Sequence, residues 1–408
     1  MAEGNSTASW NVYPVVTPES VAAAGDVIRH ARSCGEGVFP HGGGHHRHVG
    51  YPPAKPGVLL STQHWQQVAD YPVRDMTITV QAGLPLARLQ QILASEGQWL
   101  PVDVPLADQT TLGGALAVNL SGPRRYGYGT LRDYVIGIRF LSDEGVEIQG
   151  GGRVVKNVAG YDLMKLHIGA LGTLGLITQV TLKVRPRPEA SAAVVWGCSE
   201  QRLSEVLDTV HSSRTRPVAV EVLSRAAWQA MELAVSAPSA PWLLLVGFEE
   251  KASTVRWQLA TLRDEIQRLH QQGPGLTDIM ELAEPAAIWT RLTDWPDVSP
   301  WPIVEKVRVR PSQMAQRLLQ YAANGDTDRQ TLVHAHALTG IIWWHRAEAG
   351  TDHPEPDSIL WRAPAEYKRQ RPVWGRDEAT STWSFMQELK RALDPHNVFN
   401  PGRLFGNL

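Results

Sequence analysis

The sequence predicts an α+β protein of two domains, and three observations carry that prediction. Over roughly the first 188 residues, helical apolar periodicity alternates with strands in which apolar and polar residues exchange at every step. The run RPRPEA (Arg185–Ala190) then ends this rhythm, since closely spaced prolines exclude both helix and central strand. Beyond it, long polar-faced helices alternate with strand candidates, the pattern of an α+β domain built on an antiparallel sheet. The expected organisation is therefore a first domain over 1–188 and a second over 189–380. A C-terminal helix and tail, 381–408, complete the chain and return to the first domain.

Each element has its own signal. Thr17 and Pro18 make a capped start for an apolar-periodic helix to about Arg32, and Gly35 and Gly37 stop it. A short strand near Val38 follows, then strands Gly57–Ser61 and Met76–Ala82, a helix Leu86–Ser95 and a small-residue helix from Thr111 to Leu120. Tyr134–Leu141 and Val146–Gln149 form a hairpin around Asp143-Glu144-Gly145, and Leu176–Val184 is a further alternating strand. In the second half, Ser199–Ser212 and Ala252–Gln272 read as helices; Val218–Leu223, Trp242–Gly247 and Ile303–Val309 read as strands. Gly350–Arg376, rich in Pro, Asp, Arg and Trp, reads as a long loop before a last helix, Thr382–Leu393.

Composition narrows the function classes. The chain has 408 residues, 43% apolar and 20% charged, as in ordinary globular proteins. A net charge of -2 gives no electrostatic reason to expect nucleic acid as partner. Cys34 and Cys198 have no metal or CxxC spacing and read as buried thiols in a reducing compartment. The start MAEGNSTASW lacks a secretory pattern, and the longest apolar run, Pro241–Phe248, is too short to span a bilayer. These features lead us to expect a cytoplasmic protein, docked to others.

Chemistry concentrates in three glycine-centred segments. In PHGGGHHRHVG (Pro40–Gly50), successive amides of Gly42, Gly43 and Gly44 form a concave nest for phosphate oxygens, with His41, His46 and Arg47 offsetting charge. A flexible surface loop is the plain alternative. The crowding of His41, His45, His46 and His48 on one turn argues against metal, whose ligands converge from separate elements, and no metal is expected. In TTLGGALAVNLSGPRRYGYG (Thr110–Gly129), Thr111 caps a helix whose first turn holds Gly113 and Gly114. That turn serves either a ring system laid against bare amides or a tight helix–sheet contact. The third, GGRVVKNVAGYDLMKLHIGALGTLG (Gly151–Gly175), sets Lys156, Asn157, Tyr161 and Asp162 in a glycine frame; Lys156 serves either to neutralise a phosphate or a reduced cofactor or simply as a surface lysine. P-loop, HExxH, GxSxG and Rossmann patterns are all absent.

Taken in order, these residues resemble the FAD-binding domain of the vanillyl-alcohol oxidase superfamily, the PCMH-type fold. GGRVVKNVAGYDLMKL with GALGTLGLITQVTLKVRPRP is similar to the FAD-binding E subunits of glycolate oxidases, and LKRALDPHNVFNPGRLF to their closing segment. The resemblance implies two subdomains clasping FAD, with a second domain covering the flavin. It places His41 to His46 at the pyrophosphate. Thr111, Leu112, Gly113 and Gly114 would lie along the ribityl and flavin, with Asn119, Ser121 and Gly122 close by. Gly172, Thr173, Gly175 and Ile177 would frame the adenine side, and Asn400 would return beside the cofactor. Some members carry flavin on a histidine where His45 stands, whereas the E subunits have a small polar residue there; the resemblance favours FAD held without that bond.

A 2-hydroxy acid needs a cation for its carboxylate and a base for its hydroxyl. Lys306, Arg308 and Arg310 on one strand offer the first, although a solvated strand face is the plainer use. His334 and His336 (VHAHALTG) are similar to flavin-side histidines of hydroxy-acid dehydrogenases, but LTGIIWWHR stands where those relatives have an acidic Gly-Asp-Gly-Asn stretch. The implied function is the FAD-binding subunit of a glycolate oxidase or dehydrogenase, with a second flavoprotein subunit and an iron–sulfur subunit as partners. A self-sufficient hydroxy-acid or alcohol oxidase and a non-catalytic assembly subunit are the alternatives.

Overall fold

The computed structural model describes residues 10, 12–152, 162–233, 235–323, 331–347, 358–375, 378, 380–406 and 408. They form two compact units. The first comprises the chain through Leu120, Thr130–Arg187 and Ala363–Leu408; the second comprises Ser121–Gly129 and Pro188–Arg362.

The first unit opens with β1 (Val15–Val16), α1 (Val21–Cys34), β2 (Gly37–His41) and β3 (Gly57–Ser61). The parallel sheet β1-β3-β2 covers one side of α1, whose apolar stripe Ala24, Ile28 and Ala31 packs on Val38 and Leu60. The helix begins later than its sequence suggests: Ser20, not Thr17, accepts from the Ala23 amide, and Gly35 closes the other end at φ 70°. Next come β4 (Val68–Asp70), β5 (Thr77–Gln81), α2 (Leu86–Ala94), β6 (Gln98–Trp99) and α3 (Leu112–Val118). After α4 (Arg125–Tyr128), which belongs to the second unit, follow β7 (Val135–Leu141), β8 (Glu147–Gly151), α5 (Met164–His167), β9 (Leu176–Lys183) and β10 (Arg185–Pro186). Strands β4-β5-β9-β7-β8 make one antiparallel sheet, with β7 and β8 forming the expected hairpin.

The second unit is a single antiparallel sheet with helices on both faces. Its elements are β11 (Ala190–Cys198), α6 (Leu203–Ser212), β12 (Ala219–Ser224), α7 (Arg225–Ala230), β13 (Trp242–Glu250), α8 (Ala252–Gln271) and β14 (Met280–Ala283). Then follow α9 (Ala286–Val298), β15 (Ile303–Arg308), α10 (Met314–Ala323), β16 (Thr331–His336), β17 (Ile341–Arg346) and β18 (Ser358–Arg362), in the order β14-β11-β13-β12-β16-β17-β15-β18. Alternation splits the core: Val194, Val222, Leu244 and Val333 face α6, α8 and α10, while Val195, Leu223, Leu245 and Leu332 face α7 and α9. Both faces are apolar, so these strands read as continuous hydrophobic runs, which hides their periodicity.

The chain ends with α11 (Ala365–Arg369) and α12 (Ser381–Leu393). The stretch expected as one long loop, Gly350–Arg376, thus contains β18 and α11. Ser358 and Leu360 are buried there, and pairing with β15 overrides the loop-like composition. No helix among the described residues is long and apolar enough to cross a membrane.

Candidate functional site

In the first unit the glycine segments meet along one continuous groove. Its two parts are lined by His41, Gly42, Gly43, Gly44, His45, His46 and Arg47, by Thr111, Gly113, Gly114 and Ala117, and by Leu171, Gly172, Gly175, Ile177, Asn400 and Arg403. Strand β2 delivers the first loop at its C-terminal end. Beyond it the amides of Gly42, Gly43 and Gly44 have no hydrogen-bond acceptor among the described residues. The loop is wedged so tightly that a Cβ on Gly42 would overlap Thr111 Oγ1, and one on Gly43 the Gln109 carbonyl oxygen. Gly44 takes φ 78°, which only glycine adopts cheaply.

Charge in this groove is positive. Arg47 reaches the His41 ring at 3.1 Å, and its Nε has no partner among the described residues. Trp10 lies under both guanidiniums, 6.0 Å from Arg47 and 4.7 Å from Arg403. Neither arginine has a carboxylate partner among the described residues. Burial, then Arg47 and His45, push the His41 pKa down to about 4, so its imidazole is neutral at pH 7.

The second segment behaves differently from the first. Thr111 caps α3 and accepts from the Gly114 amide at 3.3 Å. The Leu112 and Gly113 amides are already used, by the Leu84 and Ala82 carbonyls at 2.9 and 2.8 Å. Of the two uses open to this turn, the tight helix–sheet contact is the one present: the small residues seat α3 against the end of β5, and the groove runs along its side. Leu112 is buried beneath that wall.

At the far end, Asn400 donates to the Leu171 carbonyl at 2.5 Å, and its amide bonds Val38 at 2.9 Å. Buried Lys390 joins the same corner, donating to the Thr173 and Phe399 carbonyls at 2.8 and 3.0 Å and pairing with Asp394. Thr173 itself is wholly buried, its hydroxyl on the Ala170 carbonyl. Asn119 closes α3 at φ 57° outside the groove lining, and Ser121 and Gly122 belong to the second unit. Lys156 lies outside the described residues.

A second polar cluster sits within the second unit, on the sheet face shared with α7 and α9. Across β15, β17, β16 and β12, Lys306 pairs with Trp343, Trp343 with His334, and Glu221 with His336. His336 Nδ1 lies 2.8 Å from Glu221, while Nε2 accepts from Trp343 Nε1 at 3.2 Å, which fixes the tautomer. His334 is fully buried, stacked near Trp343 and His345, and neither ring nitrogen has a partner among the described residues. Burial first, then His345 and His336, push its pKa well below the ordinary value.

Lys306 is half-buried, its ammonium 5.3 and 5.5 Å from the Trp343 and Trp361 rings. Burial, then repulsion from Arg125 and Arg308, lower its pKa to about 8, with Asp297 offsetting part. Sequence reasoning missed Arg125. It sits on α4, which Arg124 and Tyr128 pin to Glu249 at 3.1 and 2.9 Å. It also missed Glu221, whose only signal is a buried carboxylate in an apolar strand.

Comparison with known proteins identifies two domains in the chain. Residues 14–150 match the "FAD binding domain" and residues 368–404 the "FAD linked oxidases, C-terminal domain". The chain thus carries an FAD-binding domain and the C-terminal segment of FAD-linked oxidases. It is 29% identical to glycolate oxidase subunit GlcE of Escherichia coli (strain K12), over 86% of this chain and 88% of that protein. Against glycolate oxidase subunit GlcD of Bacillus subtilis (strain 168) the identity is 26%, over 90% and 83%. A solved alkyldihydroxyacetonephosphate synthase shares the fold, with TM-score 0.68 and 16% identity over 95% of this chain and 76% of that one. With these two domains the chain is an FAD-dependent oxidoreductase, and FAD is its cofactor. Its groove fits that cofactor: acceptor-free glycine amides and an orphaned Arg47 Nε suit a diphosphate, and apolar walls suit flat rings.

Proposed function

We propose that this FAD-linked oxidase is the FAD-binding subunit of an assembly oxidising glycolate or a similar small 2-hydroxy acid. Its partners would be a second flavoprotein subunit and an iron–sulfur subunit. One observation carries the cofactor part: three adjacent glycine amides without acceptors among the described residues, flanked by two guanidiniums without carboxylate partners among them. The subunit part is supported by the likeness to GlcE over most of both chains.

In this reading His41, Gly42, Gly43, Gly44, His45 and His46 hold the diphosphate. Thr111, Gly113 and Gly114 line the ribityl and ring, and Gly172, Gly175, Ile177 and Asn400 close the remaining wall. Leu112 and Thr173 support that wall from behind. FAD is held without a His45 bond. When bound, FAD would supply the acceptor for the hydride of the CH–OH carbon. Lys306, with Arg125 and Arg308 close by, binds the substrate carboxylate. His336, oriented by Glu221, takes the hydroxyl proton at Nε2 as the Trp343 N–H turns away. His334, sealed and neutral, packs the sheet and takes no proton.

One observation favours a second reading, in which the chain relays electrons while a partner oxidises the acid. Both nitrogens of His336 are engaged and His334 is fully buried, which leaves neither histidine free to take a proton as they stand. Anaerobic mixing with glycolate or D-lactate separates the two. Bleaching of flavin in the isolated chain, lost in Lys306→Met, supports oxidation here. Bleaching only after the partner subunits are added supports the relay, and no flavin in any preparation refutes both.

A further inference from the structure

Five consecutive carbonyls, from Arg47 to Tyr51, begin three residues beyond Gly44, and all five accept from two side chains of the C-terminal segment. Arg403 donates to the carbonyls of Arg47 at 2.7 Å and Val49 at 2.6 Å, and to that of Tyr51. Lys368 takes the intervening ones, His48 and Gly50, the latter at 3.2 Å. The two side chains therefore alternate along the segment. Both are almost fully buried, at 2% and 6% exposure, about 320 and 350 residues along the chain from what they hold.

Burying a cation costs several kcal/mol unless its protons are all received. Arg403 is received by carbonyls and by the Trp10 ring, with no carboxylate among the described residues. Neutral acceptors leave its positive charge uncancelled beside a groove that it also lines. Gly50, at φ 85°, allows the turn, and a Cβ there would meet the Arg403 carbonyl at 2.5 Å. The Tyr51 amide in turn donates to that carbonyl at 2.9 Å.

We propose that Lys368 and Arg403 are positioning residues for the cofactor loop. By gathering the carbonyls of residues 47–51 behind it, they hold the His41–Arg47 turn with its amides toward the groove before FAD arrives. The inference rests on the groove being the FAD site. It makes FAD affinity, rather than folding, the property that these two cations control.

The test titrates deflavinated protein with FAD by flavin fluorescence and melts each apoprotein separately. Lys368→Met and Arg403→Met should raise Kd about tenfold or more. Arg403→Lys, which keeps the charge but loses the fork, should fall between wild type and Arg403→Met. Leu89→Ala, a core truncation in α2, should lower the apoprotein melting temperature yet leave Kd within about threefold. That split separates positioning from loss of structure. If a methionine variant does not fold, Arg403→Lys carries the test by the same readout. Unchanged Kd in the lysine and methionine variants overturns the clamp. A wild-type chain that takes up no FAD overturns the groove assignment beneath it, and the clamp with it.

Discussion

The first unit presents its site as main chain, and the second as side chains. In the groove the working groups are glycine amides, and the side chains around them prop, cap or counter-charge. On the second unit's sheet, by contrast, Glu221, His336, Trp343 and Lys306 are joined through their side chains. The difference teaches where tolerance lies. A main-chain site fails when a methyl group is added, whereas a side-chain network fails by titration or truncation.

The largest effect should come from adding one carbon to the first site. Gly43→Ala sets a Cβ against the Gln109 carbonyl, so the loop must shift. We expect FAD affinity to drop about 100-fold, near 2.7 kcal/mol, with the apoprotein still folded. Equilibrium dialysis would show it, and wild-type affinity would remove the main-chain character of the site.

A smaller effect should separate the second site by pH. The Lys306 pKa of about 8 lies below the ordinary lysine value, so the ammonium that binds a carboxylate is present below pH 8 and lost above it. KM for a 2-hydroxy acid should therefore rise about tenfold from pH 7 to pH 9. Lys306→Arg should flatten the rise, since guanidinium keeps its proton. A pH-independent KM in wild type would remove Lys306 from substrate binding.

The smallest effect concerns both units alike. His41 and His167, with pKa lowered to about 4, and His345, to about 3, stay neutral when folded, chiefly through burial. Between about pH 6.5 and 4 the unfolded chain binds protons that these rings refuse, so stability falls as pH drops through that window. Apoprotein melting from pH 7 to 4 should show the loss, with a shallower slope in His41→Gln. Equal slopes would mean that His41 is not held neutral.

What could be read beforehand follows the same division. The groove was legible because glycine has few uses: PHGGGHHRH and GALGTLG announce backbone approach without any partner being known. The use of the second segment was not, because only the fold shows that Ala82 and Leu84 already occupy the amides of Gly113 and Leu112. Nor was the His336–Glu221 pair, joined across neighbouring strands and 115 residues apart in sequence. Composition misled at Gly350–Arg376, where Pro, Asp and Trp suggest a loop while β18 and α11 form within it. The Lys368 and Arg403 clamp lay furthest from view, since a lysine and an arginine in sequence read as surface residues.

The most direct measurement is the visible absorption spectrum of the freshly purified chain, followed by trichloroacetic acid precipitation. The account predicts flavin bands near one equivalent per chain and a yellow supernatant over a colourless pellet. A chain that is colourless and stays so after incubation with excess FAD would contradict it.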